Sequence, residues 1–82
     1  MGYHAVEIPR GTYGEFSKIE EEFLELQDAV NQNNPVMMLC ELTDLIGAIE
    51  GYARKWNITL DDLLRMKAST ESAFKDGTRS ER

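Results

Sequence analysis

Glu22-x-x-Glu25 and Glu41-x-x-Asp44 are acidic pairs, each spaced so that both carboxylates fall on one side of a helix, one turn apart. If the two helices pack together, four carboxylates converge on one patch. Such a patch repels itself until protons or cations neutralise it, and its all-oxygen, anionic character suits hard ions such as Mg2+ or Mn2+ better than zinc. Carboxylate-held divalent ions are a common apparatus for phosphate chemistry. The pairs therefore read as the heart of a metal-dependent phosphate enzyme. They also fit plain solvated faces, because an i, i+3 acidic pair is common on amphipathic helices.

The elements that must position these acids follow from apolar periodicity and breakers. A head over residues 1–14, with Pro9, Gly11 and Gly14, is expected as loop or weak extended structure without clear chemistry. A first helix is predicted from near Gly14 to Asn31, with Phe16, Ile19, Phe23, Leu26 and Val30 as its buried stripe. Asn34 caps a second helix that opens on Pro35 and continues to about Trp56. In that helix Met38, Leu42, Leu45, Ile49, Tyr52 and Trp56 form one stripe, widened by Leu39, Ile46 and Ala53. So wide a face exceeds what one partner helix covers and implies contact with a second chain.

A third helix begins at Thr59, where Asp62 makes a relative of the capping box and Asp61 and Asp62 complement the helix dipole. It fades near Lys75, before Asp76-Gly77 and a polar tail over residues 77–82. The expected fold is all-α: an antiparallel helical hairpin plus a third helix over residues 15–76, packing as an oligomeric bundle. At about 100° per residue, Glu22 and Glu41 flank the apolar stripes while Glu25 and Asp44 lie further round. Each pair runs from the edge of the core toward solvent.

Composition narrows the function classes. With 82 residues the chain is one domain with a modest core, which favours self-association. A net charge of −6 disfavours general binding to nucleic acid or anionic membranes. Cys40 is the single cysteine, so no disulfide framework or cysteine-based metal site is expected, in keeping with a reducing compartment. No apolar run suits a bilayer span and the first residues lack a signal-peptide core, so a cytoplasmic protein is expected.

Several single residues carry competing readings. Lys18 can pair with Glu22 across one turn or contact a phosphate. Gly47 and Gly51 share a side with Cys40 and Asp44, a smooth strip that serves either close helix packing or a flat ligand. Trp56, Tyr52, Phe16 and Phe74 can stack a base, although helical aromatics usually belong to a core. Asn57 can bind a base edge or end the second helix. His4 has no histidine or cysteine partner in sequence and reads as incidental.

The run Lys18-Ile-Glu-Glu-Glu22-Phe-Leu-Glu25-Leu26, with Glu41-Leu-Thr-Asp44-Leu-Ile following, resembles the paired ExxE and ExxD motif of the MazG-like all-α nucleoside triphosphate pyrophosphohydrolases. The resemblance spans residues 15–79, includes the order of helices, and is similar in its small size to compact bacteriophage-type members. It implies Mg2+-dependent hydrolysis between the α and β phosphates, with Mn2+ as the alternative ion, giving a nucleoside monophosphate and pyrophosphate. On this resemblance Glu22, Glu25, Glu41 and Asp44 hold the metal, and Glu22 or its neighbour Glu21 orients or deprotonates the attacking water. Lys18, Lys67, Lys75 and Arg79 are the implied contacts to the triphosphate, some of them from another subunit.

Larger members carry extra helices or a second copy of the domain. This chain has neither, so a complete pocket is expected to require a homodimer or homotetramer. Two rivals stand beside the enzyme: a noncatalytic helical interaction module, and a nucleotide-binding relative without turnover.

Overall fold

The computed structural model describes residues 4–76, with three helices: α1 over Phe16–Asn31, α2 over Pro35–Arg54 and α3 over Leu60–Asp76. The fold is all-α, and α1 and α2 pack as an antiparallel hairpin, as the sequence predicts. The hairpin bend is set by local chemistry. Asn33 adopts φ 58°, a left-handed conformation that asparagine tolerates well, and the Asn34 amide returns to the Ala29 carbonyl at 3.2 Å. The Asn34 side chain then accepts the Met37 amide at 3.1 Å, with Pro35 in the first turn where no amide is needed.

The second helix stops earlier than its apolar pattern, at Arg54. Asn57 takes φ 61° and the Ile58 amide folds back to the Ala53 carbonyl, so Trp56 lies in the terminating turn rather than on the helix. Asn57 thus ends the helix by its backbone. A reciprocal capping box starts α3: the Thr59 amide donates to Asp62 Oδ2 at 3.0 Å and the Asp62 amide donates to Thr59 Oγ1 at 3.1 Å. Among the described residues, α3 touches α2 but not α1.

The seam of the hairpin differs from the expected one. Phe16, Phe23 and Val30 are 54%, 53% and 52% exposed, so these members of the stripe predicted to be buried on α1 face outward, while Ile19 and Leu26 are half-buried. Buried instead are Glu21, Glu22, Asp28 and Ala29 on α1 and Met37, Glu41, Ala48, Gly51 and Ala53 on α2. Small residues let the two helices approach, and the acids occupy the space between them. Leu39, Leu42, Ile46 and Ile49 on α2 and Leu64 and Met66 on α3 are also exposed. The physical reason is that a single two-helix hairpin in a chain of 82 residues cannot cover both apolar stripes at once.

Residues 4–15 form neither helix nor strand but wrap across the acidic face of the hairpin. Gly11 makes that path possible. A Cβ there would lie 2.2 Å from the Ser17 carbonyl oxygen and 2.6 Å from the Lys18 nitrogen, both backbone atoms that have no room to yield. The Gly11 amide donates to Glu21 Oε1 at 2.8 Å. Gly11→Ala is therefore expected to detach this part of the arm and destabilise the protein by about 1–3 kcal/mol, the cost of a buried carboxylate losing its donor. Urea denaturation monitored by circular dichroism checks this, with native helical content retained before the transition.

Candidate functional site: an acidic seam closed by the N-terminal arm

The helical spacing brings the expected carboxylates together. Glu21, Glu22 and Glu25 on α1 each offer an oxygen within 4.8 Å of one another, and so do Glu22, Glu41 and Asp44 across the hairpin. Their exposure follows the expected gradient: Glu22 and Glu41 are buried, Glu25 is half-buried and Asp44 is exposed. The inner members are held by packing, while the outer ones face the opening.

Glu41 is the centre of the arrangement. Its side chain has no exposed surface, and no donor among the described residues reaches either oxygen in hydrogen-bonding geometry. Glu22 Oε1 is likewise buried without a donor. Unsatisfied buried carboxylate oxygens are costly and call for a compensating charge. Clustered oxygens of this kind fit a hard divalent cation, for which carboxylates are the preferred donors.

Protonation reports the same crowding. Burial, together with the neighbouring Glu25, pushes the Glu22 carboxyl up to about 7, against the opposing pull of Lys18. Glu25 is also raised, chiefly by burial and then by the charges of Glu41 and Glu21. Glu21 behaves differently. Burial works to raise it, but the Gly11 amide and the Lys18 ammonium outweigh that and leave it below the ordinary carboxylate range. Glu21 is thus an ionised anchor for the arm, whereas Glu22 holds a proton near neutrality.

Lys18 lies 3.0 Å from Glu21 Oε1 and 3.4 Å from Glu22 Oε2, so both acids engage it and the expected Glu22 pairing is present. Lys67 is exposed on α3 and pairs with Glu71; this chain does not bring it to the seam. The side chain of Lys75, the side chain of Phe74 and all of Arg79 lie outside the described residues. Phe16, Tyr52 and Trp56 form edge-to-face contacts at 6.0 and 6.4 Å between ring centres. With Phe16 and Trp56 more than half exposed, this ladder is a surface feature and not the core expected for helical aromatics. Gly51 is covered by the Tyr13 ring, 2.6 Å from where a Cβ would stand, whereas a Cβ on Gly47 would meet nothing within 4 Å.

Sequence reasoning missed the arm. His4, read as incidental, inserts into the seam: Nδ1 lies 2.9 Å from Asp28 Oδ2 and Nε2 lies 3.2 Å from Glu41 Oε2. Its pKa is raised because Asp28, Glu25 and Glu41 outweigh the opposing effect of burial. Asp28 accepts the Ala5 amide at 2.9 Å and the Gln32 side-chain amide at 2.8 Å as well, and these donors hold its carboxyl below the usual range. The signal for Asp28 was present in the sequence, since it continues the register Glu22, Glu25, Asp28. Nothing in the spacing pointed to His4.

Residues 9–69 match the family model of phosphoribosyl-ATP pyrophosphohydrolase. The match covers most of the chain, including all four carboxylates of the two pairs and the arm from Pro9 onward. The chain belongs to this family. It is accordingly a pyrophosphohydrolase, a hydrolase acting on phosphoric anhydrides, within the MazG-like all-α superfamily that the acidic motifs resemble. Comparison with curated proteins and with solved structures yielded no match. Membership turns the acidic seam from a generic charged patch into the candidate site of a family whose reaction releases pyrophosphate. No described helix is long and apolar enough to cross a membrane.

Proposed function

We propose that this protein cleaves the bond between the α and β phosphates of a nucleoside triphosphate or its phosphoribosyl derivative, yielding the corresponding monophosphate and pyrophosphate. The carrying observation is Glu41: fully buried between two acidic helices, with no donor in hydrogen-bonding geometry at either oxygen among the described residues. Family membership supplies the reaction class.

In this proposal Glu22, Glu25, Glu41 and Asp44 hold Mg2+ or Mn2+. The bound ion supplies neutralisation of phosphate charge and acidification of water at the site. Glu22, buried at the edge of the cluster, accepts the proton of the attacking water. Glu21 stays ionised, fixes Lys18 and holds the Gly11 amide, which keeps the arm in place. Lys18 stands beside the acids at 26% side-chain exposure, open enough to meet a phosphate oxygen. Lys67, Lys75 and Arg79 are proposed to reach the triphosphate from a neighbouring copy.

That neighbour is a second copy of the chain. Phe16, Ile19, Phe23, Leu24, Leu45 and Ile49 line an apolar groove on the outside of the hairpin, and the exposed leucines and isoleucines of α2 extend it. A single small domain does not ordinarily expose so much contiguous apolar surface. Phe23→Lys is expected to shift the protein to monomers in sedimentation velocity, because burying one such side chain is worth about 1.5–3 kcal/mol per copy. A cytoplasmic setting suits the exposed free thiol of Cys40.

The direct test is pyrophosphate release from a panel of ribo- and deoxyribonucleoside triphosphates together with phosphoribosyl-ATP, in Mg2+ and in EDTA. Metal-dependent monophosphate and pyrophosphate support the proposal, and the best substrate identifies the base or phosphoribosyl preference. Nucleotide-induced stabilisation with no product across the panel would instead identify a relative that binds without turnover.

A further inference from the structure

We propose that His4 is a ligand of the divalent metal, joining Glu25 and Glu41 so that the N-terminal arm adds a nitrogen donor to an otherwise all-oxygen site. The inference rests on the proposed metal-holding role of the seam and extends it to a residue that lies before the 9–69 span of the family match.

Three observations carry it. First, His4, Glu25 and Glu41 each place a ligand atom within 4.8 Å of the other two, as closely as the carboxylate groups cluster. Second, Glu41 is wholly buried, points into this group and, among the described residues, has no donor in hydrogen-bonding geometry at either oxygen. Third, the ring is oriented as metal-binding imidazoles usually are. Asp28, a buried carboxylate fixed by the Ala5 amide and by Gln32, stands 2.9 Å from His4 Nδ1. An ionised carboxylate only accepts, so Nδ1 donates to Asp28, while Nε2 faces Glu41 Oε2 at 3.2 Å and becomes a ligand atom when the ion displaces the proton held between them. A carboxylate behind one ring nitrogen, with the other aimed at the ion, fixes the tautomer and raises the basicity of the ligand.

An imidazole ligand has a consequence for ion choice. Nitrogen donors favour Mn2+ and the later first-row metals, whereas Mg2+ prefers oxygen and keeps its waters. The arm therefore biases the site toward Mn2+ relative to a site of the four carboxylates alone. Asp28 acts as a positioning residue that holds the ring and does not touch the ion.

His4 is the single histidine of the chain, so an imidazole nitrogen signal has one source. The experiment is pulsed electron paramagnetic resonance on untagged protein loaded with Mn2+, with natural and with isotopically labelled histidine. Calorimetric titration of Mn2+ and Mg2+ into the parent, His4→Gln and Asp28→Ala proteins accompanies it. Expected are a histidine nitrogen coupling that changes with the label and vanishes in His4→Gln. Mn2+ affinity should fall about 10–100-fold in both variants, the range typical of disturbing such a ligand pair, with a smaller loss for Mg2+. Mn2+ bound without histidine coupling overturns the inference and leaves the carboxylate site standing, His4 then being a counter-ion that the metal displaces. Failure of the parent to bind either ion overturns the carboxylate site and this inference together. The labelled parent alone decides the matter if His4→Gln does not fold.

Discussion

Glu41→Gln is expected to melt at a higher temperature than the parent in metal-free, mildly alkaline buffer and yet to release no pyrophosphate above background. Both halves follow from one carboxylate. Without a metal ion, and once His4 at 3.2 Å has lost its charge, Glu41 is a wholly buried acid among Glu22, Glu25 and Asp44, and no described residue donates to either oxygen in hydrogen-bonding geometry. Glutamine keeps the shape, removes the charge and offers amide hydrogens to the neighbouring carboxylates. Relief of an uncompensated buried group is worth about 1–3 kcal/mol. The same change removes the oxygen shared by the carboxylate group that spans the hairpin. Turnover should drop by more than about 100-fold, beyond what the loss of a merely orienting partner costs. Thermal denaturation in EDTA and a pyrophosphate assay in Mg2+ read the two halves separately. A destabilised variant, or one with parental turnover, sinks the assignment of Glu41 as the central ligand.

The second large effect is a pH dependence of stability that a divalent ion abolishes. Glu22 has an ordinary value of 4.5 and is raised to about 7 in the folded protein. Between those values the folded state binds more protons than the unfolded state, so stability falls as pH rises through this window and stays low above it. His4 acts in the same direction: its raised pKa gives stability that is full below 6.5 and is lost as pH climbs through the folded value. Asp28 and Glu21 are depressed, so their contributions are present above 3.8 and 4.5 and vanish only as pH falls through their folded values. The metal-free protein should therefore be most stable in weak acid and lose about 1–3 kcal/mol by mild alkali. Mg2+ or Mn2+ replaces the missing protons, and its stabilisation should grow with pH as the ligands ionise. Melting curves at about pH 5.5 and about pH 8.5, with and without metal, check this. A metal-free protein that is more stable at the alkaline end refutes it.

The clustering of the carboxylates was legible in the sequence because its logic is helical. Glu22, Glu25, Glu41 and Asp44 sit one turn apart on two helices joined by a short bend, and pairing those helices makes the carboxylates meet. Asp28 extends that register and was readable by the same rule. His4 was not. It reaches Asp28 across 24 positions through an arm with no periodicity, and its placement depends on Gly11 passing against the α1 backbone and on two amides finding buried carboxylates.

The sequence by itself determined the local elements and the reaction class. Asn34 with Pro35, Asn57, and Thr59 with Asp62 mark helix ends through bonds to neighbours only a few residues away, so no tertiary partner is needed to read them. Residues 9–69 likewise carry the family match in one dimension. Only the tertiary structure decided which face of the hairpin turns inward. Apolar periodicity marks a stripe for burial without saying against what, and here Phe16, Phe23 and Val30 stay outside while Glu21, Glu22 and Glu41 fill the seam. A helix face is chosen by the sum of all its partners, including the folded arm, and that sum is a property of the packed chain.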